Sequence, residues 1–141
     1  MAAVDVVDSY LGADPALGVR RLAHGEWGIT VPAAALGHPL DVGVTISDGL
    51  LRVKAAALGP ADDVDPWMLL WWNRQTRLVR FGCTRSREIW VHGELPAATL
   101  DERALDRLLG LVVEGAQAVR AHAEQVRAGA QAASSRSRNA L

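Results

Sequence analysis

The segment at residues 65–74 reads Asp65-Pro66-Trp67-Met68-Leu69-Leu70-Trp71-Trp72-Asn73-Arg74 and carries three of the chain's five tryptophans. Its start predicts a helix, because an aspartate accepts the free amide hydrogens of a first turn and a proline in the first helical position loses no hydrogen bond. At about 100° per residue the apolar side chains lie on two sides of the helix. This apolar arc is wider than one face of a sheet can cover. We therefore expect one side of this helix to pack on its own domain and the other on a second protein surface, most simply an identical subunit. The alternative is a helix fully buried in a monomeric core.

Length and composition predict one globular domain. The chain has 141 residues, of which 50% are hydrophobic, and a formal net charge of -1, which argues against a field that attracts polyanions. The single cysteine, Cys83, rules out an internal disulfide, and neither a secretion signal nor an apolar run of about 20 residues is present. We expect a cytoplasmic protein without membrane association. Fourteen arginines against one lysine, Lys54, indicate a GC-rich genome, and we expect a bacterial source.

Apolar spacing before the tryptophan segment predicts one helix followed by strands. Helical spacing covers residues 3–11, and strand alternation appears within residues 19–31, 42–46 and 51–55. The pair Asp48-Gly49 between the last two strands is typical of a hairpin turn. The acidic run at residues 62–65 then lies where a helix dipole favours negative charge.

A second hairpin is predicted after the tryptophan segment, over residues 78–84 and 88–95. Its alternation places Val79, Phe81 and Cys83 on one apolar face. The opposite face carries charged and aromatic side chains, namely Arg80, Glu88, Trp90, His92 and Glu94.

The last predicted element is a long helix. Thr99 and Glu102 form a capping box at its start. Its apolar stripe consists of Leu105, Leu108, Leu109, Val112, Ala116, Val119, Ala123 and Val126. Gly115 within this stripe costs about 1 kcal/mol relative to alanine, so we expect it to allow a close approach to the sheet. We predict a domain at residues 1–128 and a flexible polar tail at residues 129–141.

The order of these elements resembles the YbjN family, which is related in fold to the CesT-like type III secretion chaperones. The residues that carry the resemblance are 69–73 (Leu-Leu-Trp-Trp-Asn), 89–96 (Ile-Trp-Val-His-Gly-Glu-Leu-Pro) and the apolar positions of 105–113. The resemblance implies an α+β fold of order α-βββ-α-ββ-α, with three helices on a curved antiparallel sheet of about five to six strands. It also implies a homodimer that binds segments of other proteins and catalyses nothing. Secretion chaperones tend to be acidic, and this chain departs from them in being nearly neutral.

Catalytic and metal-binding patterns are absent from the sequence. The histidines, His24, His38, His92 and His122, lie at no spacing typical of a zinc site. Cys83 is expected on an apolar face, where a cysteine is usually an inert small hydrophobe. Because neither a nucleophile elbow nor a phosphate-binding loop occurs, we expect no enzyme, no cofactor and no metal.

The first functional hypothesis is therefore a chaperone-like, homodimeric adaptor that binds a segment of a client protein. The predicted dimer interface comprises Trp67, Leu70, Trp71, Trp72, Val79 and Phe81. The predicted client-binding residues are Arg80, Trp90 and His92, beside an open sheet edge that accepts an added strand. Alternatively, Trp90 is covered by the chain's own helix or by the partner subunit.

The second hypothesis is a nucleic-acid-associated protein. Arginines cluster between Arg74 and Arg87, and bases stack on an aromatic ring such as Trp90 beside a basic groove. Carboxylates in the same region, such as Asp63 and Glu88, argue against it. A small-ligand binding domain is a third hypothesis, for which the sequence offers no convergent polar pattern.

Overall fold

One antiparallel sheet organises the computed structural model, which describes residues 1–34, 37–61 and 63–140. The described elements follow one another as α1 (Ala3–Gly12), β1 (Gly18–Ala23), β2 (Glu26–Val31), β3 (Leu40–Ser47), β4 (Leu50–Leu58), α2 (Pro66–Asn73), β5 (Val79–Cys83), β6 (Ile89–Pro96), a 3₁₀ turn (Ala97–Thr99) and α3 (Glu102–Asn139). The six strands are ordered β1-β2-β3-β4-β6-β5 in space, so β1 and β5 are the edges. The predicted α+β class, with three helices and a sheet of six antiparallel strands, is confirmed. Four strands, not the three of the predicted order, precede α2, because residues 18–31 form a hairpin of two strands, β1 and β2.

The turn between β3 and β4 has the predicted hairpin chemistry. Asp48 and Gly49 both have positive φ, at 53° and 75°, and Ser47 pairs with Leu50 across the turn. Two successive positive φ angles give the turn that matches the twist of the flanking strands.

The core lies between one face of the sheet and the helices. Buried and exposed residues alternate along β3 and β6, so the second sheet face is open to solvent. From α3 the buried residues are Leu105, Leu108, Leu109, Val112, Gly115, Ala116, Val119, Arg120 and Ala123. A Cβ on Gly115 would lie 3.0 Å from Val91 Cγ1 and 3.5 Å from the Phe81 ring, so the predicted close approach of α3 to the sheet is confirmed.

The start of α3 differs from the prediction. Asp101, not Thr99, is the N-cap, and its Oδ1 accepts a hydrogen bond of 2.7 Å from the backbone N–H of Ala104. Thr99 ends the 3₁₀ turn, and the next residue, Leu100, is extended and buried. Because Leu100 is extended and packs into the core, the helix begins after it. The N-cap is therefore two residues later than predicted, at an aspartate, which caps a helix equally well.

The backbone of the predicted tail is helical where it is described. Helix α3 continues to Asn139, and the side chains of residues 127–140 are all exposed. Its alanines favour the helical backbone, although nothing is buried there. Leu141, the last residue of the predicted tail, and Asp62 in the acidic run lie outside the described residues.

Candidate protein-binding surfaces

Helix α2 has two different sides. Asp65 caps it by accepting a hydrogen bond of 2.9 Å from the N–H of Trp67, and Pro66 occupies its first position, as predicted. Leu69 is buried, and Trp72 packs edge-on against the rings of Phe81 and His122, with centroids 5.6 and 5.7 Å away. The other side bears Trp67, Leu70 and Trp71, which are 78%, 57% and 58% exposed. We name these three residues the α2 apolar face, and their exposure excludes a helix wholly buried within one subunit.

Opposite charges lie at the two ends of α2. Asp63 and Asp65 precede it, while Arg74 and Arg77 follow it, and all four side chains are exposed. The guanidinium of Arg74 lies 5.7 Å from the centre of the Trp71 ring, which continues the α2 apolar face with a cation–π contact.

The remaining predicted interface residues belong to the interior of the subunit. Val79 and Phe81 are buried in its own core, which corrects their assignment to an outer contact surface. With the half-buried Trp72 they line the floor of a cavity of about 470 Å³ between the segment after α2, β5 and α3. Alternation along β5 was predicted correctly, but the sequence did not show that α3 covers this face.

The β5 edge is partly covered by a side chain. Asn73 Nδ2 donates to the carbonyl of Phe81 at 3.0 Å, and Asn73 Oδ1 accepts from the N–H of Phe81 at 2.8 Å. The outward backbone groups of Phe81 are therefore already satisfied. On the opposite edge, β1 is exposed along its length, with Leu22 64% exposed. The open edge of the sheet is therefore β1.

The solvent-facing side of the sheet brings two of the predicted client-binding residues together. Trp90 and His92 border a cavity of about 290 Å³, which we name the Trp90 cavity and which is lined by Lys54, Gly82, Cys83, Thr84, Trp90 and His92. Arg80 pairs with His92 across the strands, but its guanidinium donates to the carbonyls of Thr76 and Val79. Arg80 is thus held by Thr76 before β5 and by Val79 at its start, and it does not line the cavity.

Two residues of the Trp90 cavity were missed or misplaced by the sequence analysis. Lys54 comes from β4, far from the second hairpin in the chain, and its status as the single lysine was the available signal. Cys83 was expected in an apolar environment, but it is exposed at the end of β5, beyond the residues that α3 covers.

The arginine cluster is divided by the fold. Arg74 and Arg77 lie before β5, whereas Arg85 and Arg87 lie in the turn after it. With five strand residues between them, at about 3.3 Å each, the two groups are roughly 17 Å apart along the strand. Arg80, the remaining member, lies on β5 between them with its guanidinium bonded to the carbonyls of Thr76 and Val79, so the cluster is spread along this strand and not gathered in one place.

Arg120 is a buried residue that the sequence analysis missed. Its guanidinium donates to the carbonyls of Ala57, His38 and Pro39 at 2.7, 2.8 and 3.3 Å. These bonds attach α3 to the end of β4 and to the segment before β3, which is a structural role.

Within the described residues, no group of three or more His, Cys, Asp or Glu side chains is arranged to hold a metal ion. None of the described helices is both long and apolar enough to cross a membrane.

Comparison with known proteins identifies the fold. Neither the known protein families nor the curated protein sequences contain a match. Among solved structures, a chain of the HopA1–SchA chaperone–effector complex is 16% identical, with a TM-score of 0.62 over 84% of this chain and 90% of that one. A chain of the ExsC–ExsE complex is 15% identical, with a TM-score of 0.61 over 82% and 92%.

A third similar chain comes from the Yersinia pestis type III secretion chaperone SycH in complex with a fragment of YscM2. It is 14% identical, with a TM-score of 0.61 over 81% of this chain and 96% of that one. The six-stranded sheet with its helices is thus the fold of the type III secretion chaperones. The resemblance to the YbjN family stays a prediction.

Proposed function

We propose that the protein is a chaperone-like adaptor of the YbjN type, which forms a homodimer, binds a segment of a client protein in the cytoplasm and catalyses nothing. The observation that carries this proposal is the α2 apolar face, since two indoles and a leucine side by side in water are typical of a protein contact. The similar folds in complexes named for a chaperone and an effector support the same class of function.

The composition of α2 favours an identical subunit as the first partner. A two-fold axis places the same patch on both sides of a contact. If two α2 helices cross in opposite directions with Leu70 and Trp71 at the axis, the acidic start of each helix meets the basic end of the other. Asp65 then faces Arg74 of the partner subunit, and the charges complement each other.

The client segment is assigned to the sheet. The β1 edge offers unpaired backbone groups and the exposed side chains of Val19 and Leu22, which suit an added strand. The solvent-facing side of the sheet around Trp90 and His92 supplies a second contact. The β1 edge is the edge of the sheet opposite β5, beside which α2 packs, so a dimer through α2 leaves it accessible.

The test is the oligomeric state of a Trp67→Ser, Trp71→Ser variant. Because these side chains are exposed, the variant keeps its fold, while the loss of about 2 kcal/mol or more per buried tryptophan lowers dimer affinity by at least tenfold. Light scattering over a concentration series is expected to give dimer for the native chain and monomer for the variant. The control is Leu22→Ser, which removes a similarly exposed apolar side chain from β1. A native chain that stays monomeric, or a folded double variant that stays dimeric, contradicts the proposal.

A further inference from the structure

The Trp90 cavity exists because small residues flank a large one. Trp90 lies between Ala56 on β4 and Gly82 on β5 in the register of the sheet. The ring of His92 extends over Gly82, where a Cβ would lie 3.5 Å from its Nε2. A larger residue at either flanking position would fill the space, so these strands leave a recess of about 290 Å³ beside an indole.

A positive charge and an aromatic ring border the recess. The Trp90 Nε1 atom is itself buried, so a ligand in the recess contacts the ring and not its N–H. Lys54 Nζ lies 6.0 Å from the centre of the Trp90 ring and adds a positive charge with three donors.

Acidic side chains on this face of the sheet are engaged by other groups. Glu94 pairs with Arg52 at 2.9 Å, Glu88 accepts from the hydroxyls of Thr84 and Ser86, and Asp41 on β3 accepts from the hydroxyl of Thr30. In the described part of the chain no carboxylate forms an ion pair with Lys54, so its ammonium group is available beside the Trp90 ring.

We propose that the Trp90 cavity binds the carboxylate of an aspartate or glutamate in the client segment, with the Lys54 ammonium group as its donor. An apolar residue next to the carboxylate packs on the Trp90 ring. This inference rests on the proposed function and specifies which client sequence the solvent-facing side of the sheet selects.

A polypeptide fits this site better than a nucleic acid does. The recess has room for one side chain, and the same face carries Asp41 and the Arg52–Glu94 pair, which interrupt its positive charge. A nucleic-acid strand needs a continuous basic track, because each neutralised phosphate contributes to its affinity.

The experiment follows the indole N–H signals of the ¹⁵N-labelled full chain, with the Trp90 signal assigned from a Trp90→Phe variant. The probes are a capped tripeptide of leucine, glutamate and leucine, and the same peptide with glutamine instead of glutamate. We expect the glutamate peptide to shift the Trp90 signal as it packs against the ring, and the glutamine peptide to bind about tenfold more weakly.

Two variants show whether Lys54 is responsible. Lys54→Met keeps the aliphatic stem and is expected to weaken binding of the glutamate peptide by about tenfold or more. Arg85→Met removes one exposed positive charge from the turn after β5 and is expected to have at most a twofold effect. Equal losses in both variants, or equal binding of the two peptides, overturn the inference.

A further measurement distinguishes a peptide ligand from a nucleic acid, and this inference from the proposed dimer. Oligothymidine that shifts the Trp90 signal at lower concentration than the peptide, with steep salt dependence, overturns the inference in favour of nucleic acid. A dimer that forms a stoichiometric client complex but does not discriminate between the peptides refutes this inference alone. Lys54-dependent peptide binding by a monomeric chain supports it and contradicts the proposed dimer instead.

Discussion

At the residue scale, hydrogen bonds of polar side chains help to attach α1 to the rest of the molecule. Asp8 accepts from Trp27 Nε1 at 2.8 Å and from Arg21 at 3.0 Å, and the Trp27 ring is fully buried. Tyr10 donates its hydroxyl to Asp106 on α3. Burial raises the pKa of Tyr10 well above its ordinary value, and the hydrogen bond to Asp106 and the negative charge of Asp106 raise this pKa further.

Ionisation of Tyr10 is expected well above the ordinary tyrosine pKa of about 10. A pKa that is higher in the folded than in the unfolded state contributes stability below pH 10, and this stability is lost as pH rises further. Tyr10 is the single tyrosine, so the absorbance of its phenolate reports it directly. Asp106→Asn is expected to lower the Tyr10 pKa, but not to the ordinary value, because burial remains.

The matched variant for this titration is Asp14→Asn, which removes a charge that acts on Tyr10 more weakly than Asp106 does. Its effect on the Tyr10 pKa is expected to be the smaller of the two. A native chain whose tyrosine ionises near pH 10 would show that the α1–α3 contact is open in solution.

Individual residues were predictable where the decisive interactions are local. Asp65 and Pro66 act on the first turn of α2, and Asp48-Gly49 forms its own turn, so the sequence identifies them. Thr99 had the right local chemistry for a cap and was displaced by the burial of Leu100, which is a tertiary effect. Arg120 satisfies carbonyls more than 60 residues away, so its local sequence carries no sign of its burial.

At the scale of elements, α2 both exposes an apolar face and protects an edge strand. Asn73 ends the helix and satisfies the outward N–H and C=O of Phe81, as a neighbouring strand would. Edge strands with free backbone groups pair readily with other chains. The exposed tryptophans therefore lie beside a strand whose central residue is not free to pair.

Asn73→Ala is expected to lower the free energy of unfolding by about 1–3 kcal/mol, because two hydrogen bonds to Phe81 are lost in a partly buried place. The midpoint of urea unfolding measures this change. Gln75→Ala, two residues onward and exposed, is the control and should stay within about 0.5 kcal/mol of the native chain. We also expect concentration-dependent aggregates of Asn73→Ala in light scattering. Equal stability of the two variants would mean that water replaces the amide without cost.

The residues of the candidate binding sites were less predictable from the sequence than the helices and strands were. Periodicity places Trp90 and His92 on one strand face, and it identifies Trp67 and Trp71 as neighbours on a helix. Periodicity does not tell which strands are adjacent, and Lys54 reaches Trp90 only because β4 pairs with β6 across the intervening α2 and β5. The covering of Val79 and Phe81 by α3 is likewise a property of the assembled sheet.

At the scale of the whole molecule, the stabilising contacts of α3 end well before the helix does. Ala123 is its last buried residue, and Arg127 makes an exposed ion pair of 3.5 Å with Asp63. Such a pair contributes about 0–1 kcal/mol. The fold therefore depends on the part of α3 that precedes the predicted domain boundary at residue 128.

A chain truncated after Ala128 is expected to fold with a free energy of unfolding within about 0.5 kcal/mol of the full chain, because residues 129–140 bury no side chain. Its helical circular dichroism should fall in proportion to the residues removed. Truncation after Ala118 is the contrasting variant, since it deletes Val119, Arg120 and Ala123 and should cost several kcal/mol, on the order of 3 or more. Urea unfolding compares the three chains at equal concentration. If truncation after Ala128 already destabilises the protein or dissociates its dimer, the exposed end of α3 makes a stabilising contact, and the domain extends beyond residue 128.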